Sequence, residues 1–219
     1  MTTNRVNLKE KHKILSKDTE QAILLAAEQE FMQKGYDGAK TVSIAHNAGV
    51  THAMLHYYFG TKERLFNKIF NEKLSLLGKM VTDVIIEPDT TPLEKIKTVV
   101  DRHFEFLVEH PDLPRFLLNE LAYNPQRRSL MEHKLRVAWA KWLSPLQHEW
   151  DEMIVAERMK PIAMIDFILD VVSLNLFVFL ALPALDMVIE KFYGSREAFY
   201  EARKRENVKI IMQRLSQNS

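Results

Sequence analysis

The sequence contains no cysteine, which removes disulfides, thiolate metal ligands and cysteine nucleophiles and is compatible with a reducing, cytoplasmic setting. Glycine is scarce: there are six in 219 residues. Four of them, Gly35, Gly38, Gly49 and Gly60, fall within one short stretch, so tight turns are concentrated there. Strand-like alternation with hairpin turns is missing, as are internal repeats and low-complexity tracts. A glycine-rich phosphate loop and a nucleophile elbow are also missing, so no catalytic residue and no cofactor is assigned. Long uncharged runs are lacking too. The most apolar stretch, Val171 to Leu185, includes Asn175 and Pro183 and lies between Asp170 and Asp186. It falls short of the roughly 18 residues a membrane span needs, so a buried helix and no membrane are expected. The opening MTTNRVNLKEKHK has no apolar segment behind it and does not read as a secretory signal.

What the chain does have is 47% apolar residues, enough for a substantial core, and a net charge of only +1. That charge is unevenly spread. Residues 1–73 hold 11 Lys/Arg against 8 Asp/Glu, a net of +3, which leaves −2 for the remainder. Most of the excess comes from Arg5, Lys9, Lys11, Lys13 and Lys17, which face only Glu10. Taken alone this is an ordinary solvated tail; beside a DNA-binding module it becomes a phosphate-seeking arm.

The apolar periodicity predicts helices throughout. A first helix is expected from Asp18 or Thr19, where Asp18 and Gln21 have capping-box spacing, with Ile23, Ala26, Ala27 and Phe31 inward. Gly35 should stop it, and Tyr36 should pack back over its end. A second helix, Thr41 to Ala48, turns Val42, Ile44, Ala45 and Ala48 inward. Gly49 supplies the sharp turn, Val50 plugs the small core and Thr51 caps a third helix. That third helix, Thr51 to Phe59, aims Leu55, Tyr58 and Phe59 at the core and shows Thr51, His52, Ala53, Met54, His56 and Tyr57 outward. A fourth runs from Thr61 to about Ile86. Glu87 to Thr91, EPDTT, reads as a linker, and Thr91-Pro92-Leu93-Glu94 as a capping box opening the next helix. Beyond it come a short helix over Phe116 to Tyr123, a long one from Gln126 to Glu157 kinked at Pro145, the most apolar one from Pro161 to Leu182, and a last one from Ser195 to Leu215.

At Gly35-Tyr36, Ile44-Ala45, Ala48-Gly49-Val50-Thr51, Leu55, Tyr57-Tyr58-Phe59 and Thr61-Lys62-Glu63 the chain resembles the TetR family of bacterial transcription regulators. The resemblance covers Thr19 to Phe70; the remainder matches in layout only. It implies an all-α protein with an N-terminal three-helix helix-turn-helix DNA-binding domain in residues 1–62. A larger helical effector-binding and dimerisation domain follows in residues 63–219, with the fourth helix bridging the two. Carried over residue by residue, it has Thr51 and Tyr57 holding phosphates while His52, Ala53, Met54 and His56 face base edges in the major groove. Lys62 and Lys40 would reach the backbone. Ala39 stands where the family often has Thr or Ser. His52, Ala53, Met54 and the order His56-Tyr57-Tyr58 also depart from the frequent pattern, so the operator does not follow from relatives.

The expected partners are a pseudo-palindromic double-stranded operator, a second copy of the chain, and an unknown apolar or aromatic effector. Candidate effector-lining residues are Phe104, Leu107, Leu118, Tyr123, Trp139, Trp142, Asn175 and Phe179. Candidates for the dimer interface are Ile168, Val172, Leu176, Phe179 and Val188, the apolar surplus of the penultimate helix.

Rival readings use the same residues. His52 and His56 have the spacing at which two imidazoles share a metal, but a zinc peptidase needs Glu after the first His, and Ala53 is there. A metal with His46 as third ligand is the lesser reading, and no metal is expected. His103, His110, His133 and His148 read as isolated among surface charges. Asp166 and Asp170 read as a polar stripe rather than an acid/base pair, so the chain is expected not to be an enzyme. The expected function is a sequence-specific DNA-binding regulator, a repressor released by a small molecule. One alternative is a regulator whose C-terminal domain only dimerises or recruits a partner; another is a helical carrier or enzyme with a vestigial front domain.

Overall fold

A computed structural model describes residues 3–85 and 91–216; for residues 3–16, 81, 84, 85, 142 and 145 it describes the backbone alone. The described residues are helical with no strand: α1 (Thr3–Gly38), α2 (Thr41–Asn47), α3 (His52–Phe59), α4 (Lys62–Ile85), α5 (Pro92–Glu109), α6 (Leu113–Tyr123), α7 (Pro125–Ala138), α8 (Ser144–Val155), α9 (Met164–Tyr193) and α10 (Arg196–Leu215). They divide into two compact units, Met1–Leu74 and Ser75–Ser219.

In the first unit the helical stripes converge as the sequence predicts. Ile23, Ala27 and Phe31 of α1, Ile44 and Ala45 of α2, Leu55 and Phe59 of α3, and Leu65, Phe66, Ile69 and Phe70 of α4 are all buried. Phe31 meets Phe66 edge-on at 4.8 Å between ring centres, and Tyr36 meets the same ring at 5.1 Å, so Tyr36 packs on α4. At Gly35 the backbone takes φ 67° and ψ −178°, which breaks the helical path where glycine alone is unpenalised. The start of α1 differs from expectation. The helix extends back to Thr3 rather than beginning at Asp18, because residues 3–17 contain no Pro or Gly to stop it and include the good helix formers Leu8, Lys9, Glu10, Lys11, Lys13 and Leu15. Val42 also differs: it is 65% exposed, since a seven-residue helix has room for one inward side and Ile44 and Ala45 occupy it.

The second unit packs α5, α9 and α10 against one another. Thr91 opens α5 as a full capping box: its hydroxyl oxygen accepts from the Glu94 N–H at 3.3 Å and the Glu94 carboxylate accepts from the Thr91 N–H at 2.9 Å. The Thr91 hydroxyl, which donates to the same carboxylate at 2.7 Å, and the Thr91 N–H hold the Glu94 carboxyl below the usual carboxylate range. The rest of the expected linker, Glu87 to Thr90, lies outside the described residues.

The helix expected to kink at Pro145 is instead two helices joined by a π-helical turn, Trp139–Leu143. A proline cannot donate to the carbonyl one turn back and its ring crowds it, so the preceding turn widens. Pro161 lies outside α9, which starts at Met164 and runs through Pro183 to Tyr193, 30 residues instead of the expected 22. This helix is long and apolar enough to cross a membrane, and only 28% of its most apolar window is buried within the chain. The expectation of a buried helix therefore holds for one face only. Ile165, Leu169, Val172, Phe177, Leu180, Met187 and Val188 form the other, solvent-facing one.

Candidate nucleic-acid interface

The helix-turn-helix is built by three local devices. The buried carboxylate of Glu30 accepts from the Lys34 ammonium at 2.8 Å and from the Lys40 backbone N–H at 3.2 Å, which ties the end of α1 to the start of α2. Burial alone would push the Glu30 carboxyl up, but these two partners hold it below its ordinary value. Gly49, at φ 67°, turns the chain between α2 and α3. Thr51 then caps α3, its hydroxyl accepting from the Met54 N–H at 3.2 Å. A second hydroxyl cap follows where the Thr61 oxygen accepts from the Arg64 N–H at 3.2 Å at the head of α4.

On this frame α3 buries Leu55 and Phe59 and half-buries Tyr58, while Thr51, His52, Ala53, Met54, His56 and Tyr57 all face solvent. Tyr57 is 86% exposed. A helix surface that presents an aromatic, a methionine and two imidazoles to water, uncovered by any other described residue, is a surface waiting for an occupant. The two imidazoles touch: His52 Nε2 lies 3.2 Å from His56 Nε2 and 3.0 Å from the Thr41 hydroxyl. The Lys62 ammonium sits 4.7 Å over the Tyr36 ring and donates to the Asp37 carbonyl at 3.4 Å. Lys40 is exposed beside the start of α2. Seven of the eight expected DNA-facing residues are exposed on this one module, and the eighth, Lys62, is half-buried beside Tyr36.

The expected effector and dimer residues separate into groups. Phe104 and Phe179 meet at 5.5 Å, and Leu107 and Asn175 are buried in the same unit. Leu118, Tyr123 and Trp139 lie at the surface instead, Tyr123 at 85% exposure; α6 turns the first two outward and the π-helical turn the third. The Trp142 side chain lies outside the described residues. Of the dimer candidates, Val172 and Val188 are exposed, Ile168 and Leu176 are half-buried, and Phe179 is only 5% exposed, facing Phe104 and Tyr200.

The interior also holds residues that were missed. His103, read as a surface residue, is 7% exposed. Asn175 donates through Nδ2 to the Val100 carbonyl at 3.0 Å and to His103 Nδ1 at 3.2 Å. Asn207 donates to the Asn175 amide oxygen at 2.8 Å and to the Leu174 carbonyl at 3.2 Å. Tyr200 stacks on Phe179 at 5.6 Å. The sequence signal existed: His103 follows Val100 by three and precedes Leu107 by four, and Asn207 precedes Ile211 by four, so both occupy core positions of their helices. Burial lowers the His103 pKa to about 4.

A short helical module that offers the exposed side of its third helix, followed by a larger helical unit, defines a helix-turn-helix DNA-binding protein. Residues 23–69 match the family model described as bacterial regulatory proteins, tetR family. The chain is 28% identical over 145 residues to the HTH-type transcriptional regulator YdgC of Bacillus subtilis, covering 64% of this chain and 74% of that protein. It is 31% identical over 86 residues to the fatty acid metabolism regulator protein of the same organism, an alignment spanning 39% of this chain and 43% of that protein. Among solved structures, a fatty acid metabolism regulator of Clostridium perfringens superposes with TM-score 0.68 at 20% identity, over 90% of this chain and all of the other, a likeness of fold. Residues 23–69 therefore form a helix-turn-helix of the TetR type, and the chain is a DNA-binding transcriptional regulator.

Proposed function

We propose that the protein is a repressor that binds a pseudo-palindromic operator as a homodimer and leaves it when an apolar effector enters the second unit. The observation that carries this reading is the outer side of α3, exposed along its whole length and braced by buried Leu55 and Phe59. Thr51, Tyr57, Lys62 and Lys40 hold phosphates, and His52, Ala53, Met54 and His56 face base edges. The basic residues before Lys17 add backbone contacts. Functionally the chain divides at residues 62 and 63, with α4 shared between the DNA-binding and the effector-binding and dimerisation domains.

The exposed apolar side of α9 supports dimerisation through Val172, Val188 and their neighbours, with the partner's α9 as the matching surface. Phe104, Phe179 and Tyr200, with the amides of Asn175 and Asn207 behind them, support an effector site that is aromatic with a polar end. Asn207 Oδ1 is buried without a hydrogen-bond partner, which suits an effector that brings a donor. Likeness to two regulators named for fatty acid metabolism supports an apolar effector. Binding there shifts α4 and changes the spacing of the two recognition helices. The protein acts in the cytoplasm, and catalysis is not part of the role.

The test is a gel shift of the DNA flanking the protein's own gene at two salt concentrations. A salt-sensitive shift, abolished by Tyr57→Ala with Lys62→Ala, is expected; no shift at low salt would remove the DNA-binding assignment of α3. Release by long-chain apolar compounds then separates this reading from a regulator that responds to nothing small.

A further inference from the structure

His56 Nδ1 faces the Gly60 carbonyl within hydrogen-bonding distance. A carbonyl only accepts, so the ring donates there, and in the neutral imidazole Nε2 is left as a bare lone pair. That lone pair points to His52 Nε2, 3.2 Å away, and the Thr41 hydroxyl stands 3.0 Å from the same His52 nitrogen. The pair is exposed and the rings are near-perpendicular, 85° between planes, with centres 4.4 Å apart. Two nitrogens on a tetrahedral cation, each about 2.05 Å from it, lie roughly 3.3 Å apart. The gap between the two Nε2 atoms therefore already has the bite of a chelate. The Gly60 carbonyl also does for His56 what an outer-shell acceptor does for a metal-bound imidazole: it fixes the tautomer and the ring orientation.

From this geometry we propose that α3 carries a two-histidine site for a borderline divalent cation such as Zn²⁺ or Ni²⁺, held by His52 Nε2 and His56 Nε2. The cation takes the place of the proton the two rings share when the site is free. Among the described residues no three His, Asp or Glu side chains gather into a metal cluster. His46, the third ligand considered from sequence, pairs instead with the Asn47 amide oxygen at 3.4 Å. The remaining positions fall to water, with the Thr41 hydroxyl beside them. Imidazole donors and open water positions suit zinc, nickel and copper and do not suit magnesium or calcium. Resting on the reading that α3 meets base edges, the site has a regulatory consequence. A hydrated cation on both imidazoles occupies the space a base pair would fill and takes away their hydrogen bonds, so the metal and the specific operator exclude each other.

Calorimetric titration of the DNA-free, full-length protein with ZnCl₂ and NiCl₂ in a non-chelating buffer tests the site without reference to DNA. One saturable site per chain in the micromolar range is expected, weakened roughly tenfold or more in both His52→Gln and His56→Gln. Helical content and thermal unfolding of both variants should match those of the parent, because neither ring is buried. The His148–Glu152 pair, 3.3 Å apart on α8, is a competing place for a cation. Binding lost in His148→Gln but kept in the α3 variants would overturn the proposal, as would no saturable binding at all. A second arm measures operator affinity with and without Zn²⁺. Zinc should lower the parent's affinity and cause no further change in His52→Gln/His56→Gln, whatever affinity that variant has without metal. Metal binding that survives while no DNA is bound would refute the DNA reading alone, and unchanged operator affinity at saturating metal would refute the exclusion.

Discussion

Lowering the pH should destabilise the second unit through one side chain, His103. The ring is enclosed among apolar neighbours on α5, and its Nδ1 accepts from Asn175 Nδ2, an amide nitrogen that can only donate. Burial keeps the ring neutral in the folded protein down to about pH 4, and a proton on Nδ1 would also set donor against donor there. The unfolded chain takes up the proton near pH 6.5. Between those values the unfolded state holds more protons, so stability must rise with pH across the window and fall as the solution is acidified. From pH 7 to pH 4 the shift corresponds to about 3 kcal/mol, a large part of the margin of an ordinary domain. The comparison is His103→Asn, whose side-chain oxygen can accept from Asn175 but does not titrate. Urea unfolding followed by tryptophan fluorescence, at fixed protein concentration, gives both stabilities at each pH. The variant should start below the parent at pH 7, because it leaves a void, and the difference should shrink or reverse by about 3 kcal/mol at pH 4. Carboxylates titrate alike in both proteins and cancel in the difference. A difference that stays constant within about 1 kcal/mol would refute the buried, neutral histidine.

Three further outcomes follow from the geometry. Thr51→Ala removes the hydroxyl that caps α3 and should cost about 1 kcal/mol of stability, read by urea unfolding, together with a loss of DNA affinity larger than that of Thr61→Ala. Lys62→Ala should weaken every DNA sequence about equally and reduce the salt dependence of binding by roughly one counterion, whereas Met54→Ala should change which sequences are preferred, both measured by fluorescence anisotropy. Phe177→Glu on the open side of α9 should yield a monomer in sedimentation with unchanged helical content, while Phe179→Glu, directed into the interior, should impair folding itself.

The front of the molecule was readable because its signals are local. Gly35, Gly49 and Thr51 act within three or four residues of themselves, and each does what its spacing predicts, as does the equally local Thr91–Glu94 box at the head of the second unit's α5. The outward set on α3 follows from the same periodicity once Leu55 and Phe59 are placed. The second unit was harder to read because its key contacts join residues far apart in the chain. Asn175 and His103 are 72 positions apart, and nothing near either residue announces the other. Leu118, Tyr123 and Trp139 have the composition of a pocket, yet which side of a helix meets the interior is decided by its neighbours. The overrun of α9 through Pro183 has the same origin: a proline inside a helix costs a hydrogen bond, and a long apolar interface can offset that loss.

The polar ladder of His103, Asn175 and Asn207 has a consequence for how this bundle can move. Leu, Val and Phe surfaces tolerate gradual sliding, because one apolar contact replaces another at little cost. A hydrogen-bonded amide has no such continuum. Moving α9 along α5 by part of a turn would leave the Asn175 amide, the Val100 carbonyl and the Asn207 amide unmatched together in a dry interior. The three helices therefore have a fixed register, and any rearrangement among them must pass from one matched position to another as a step.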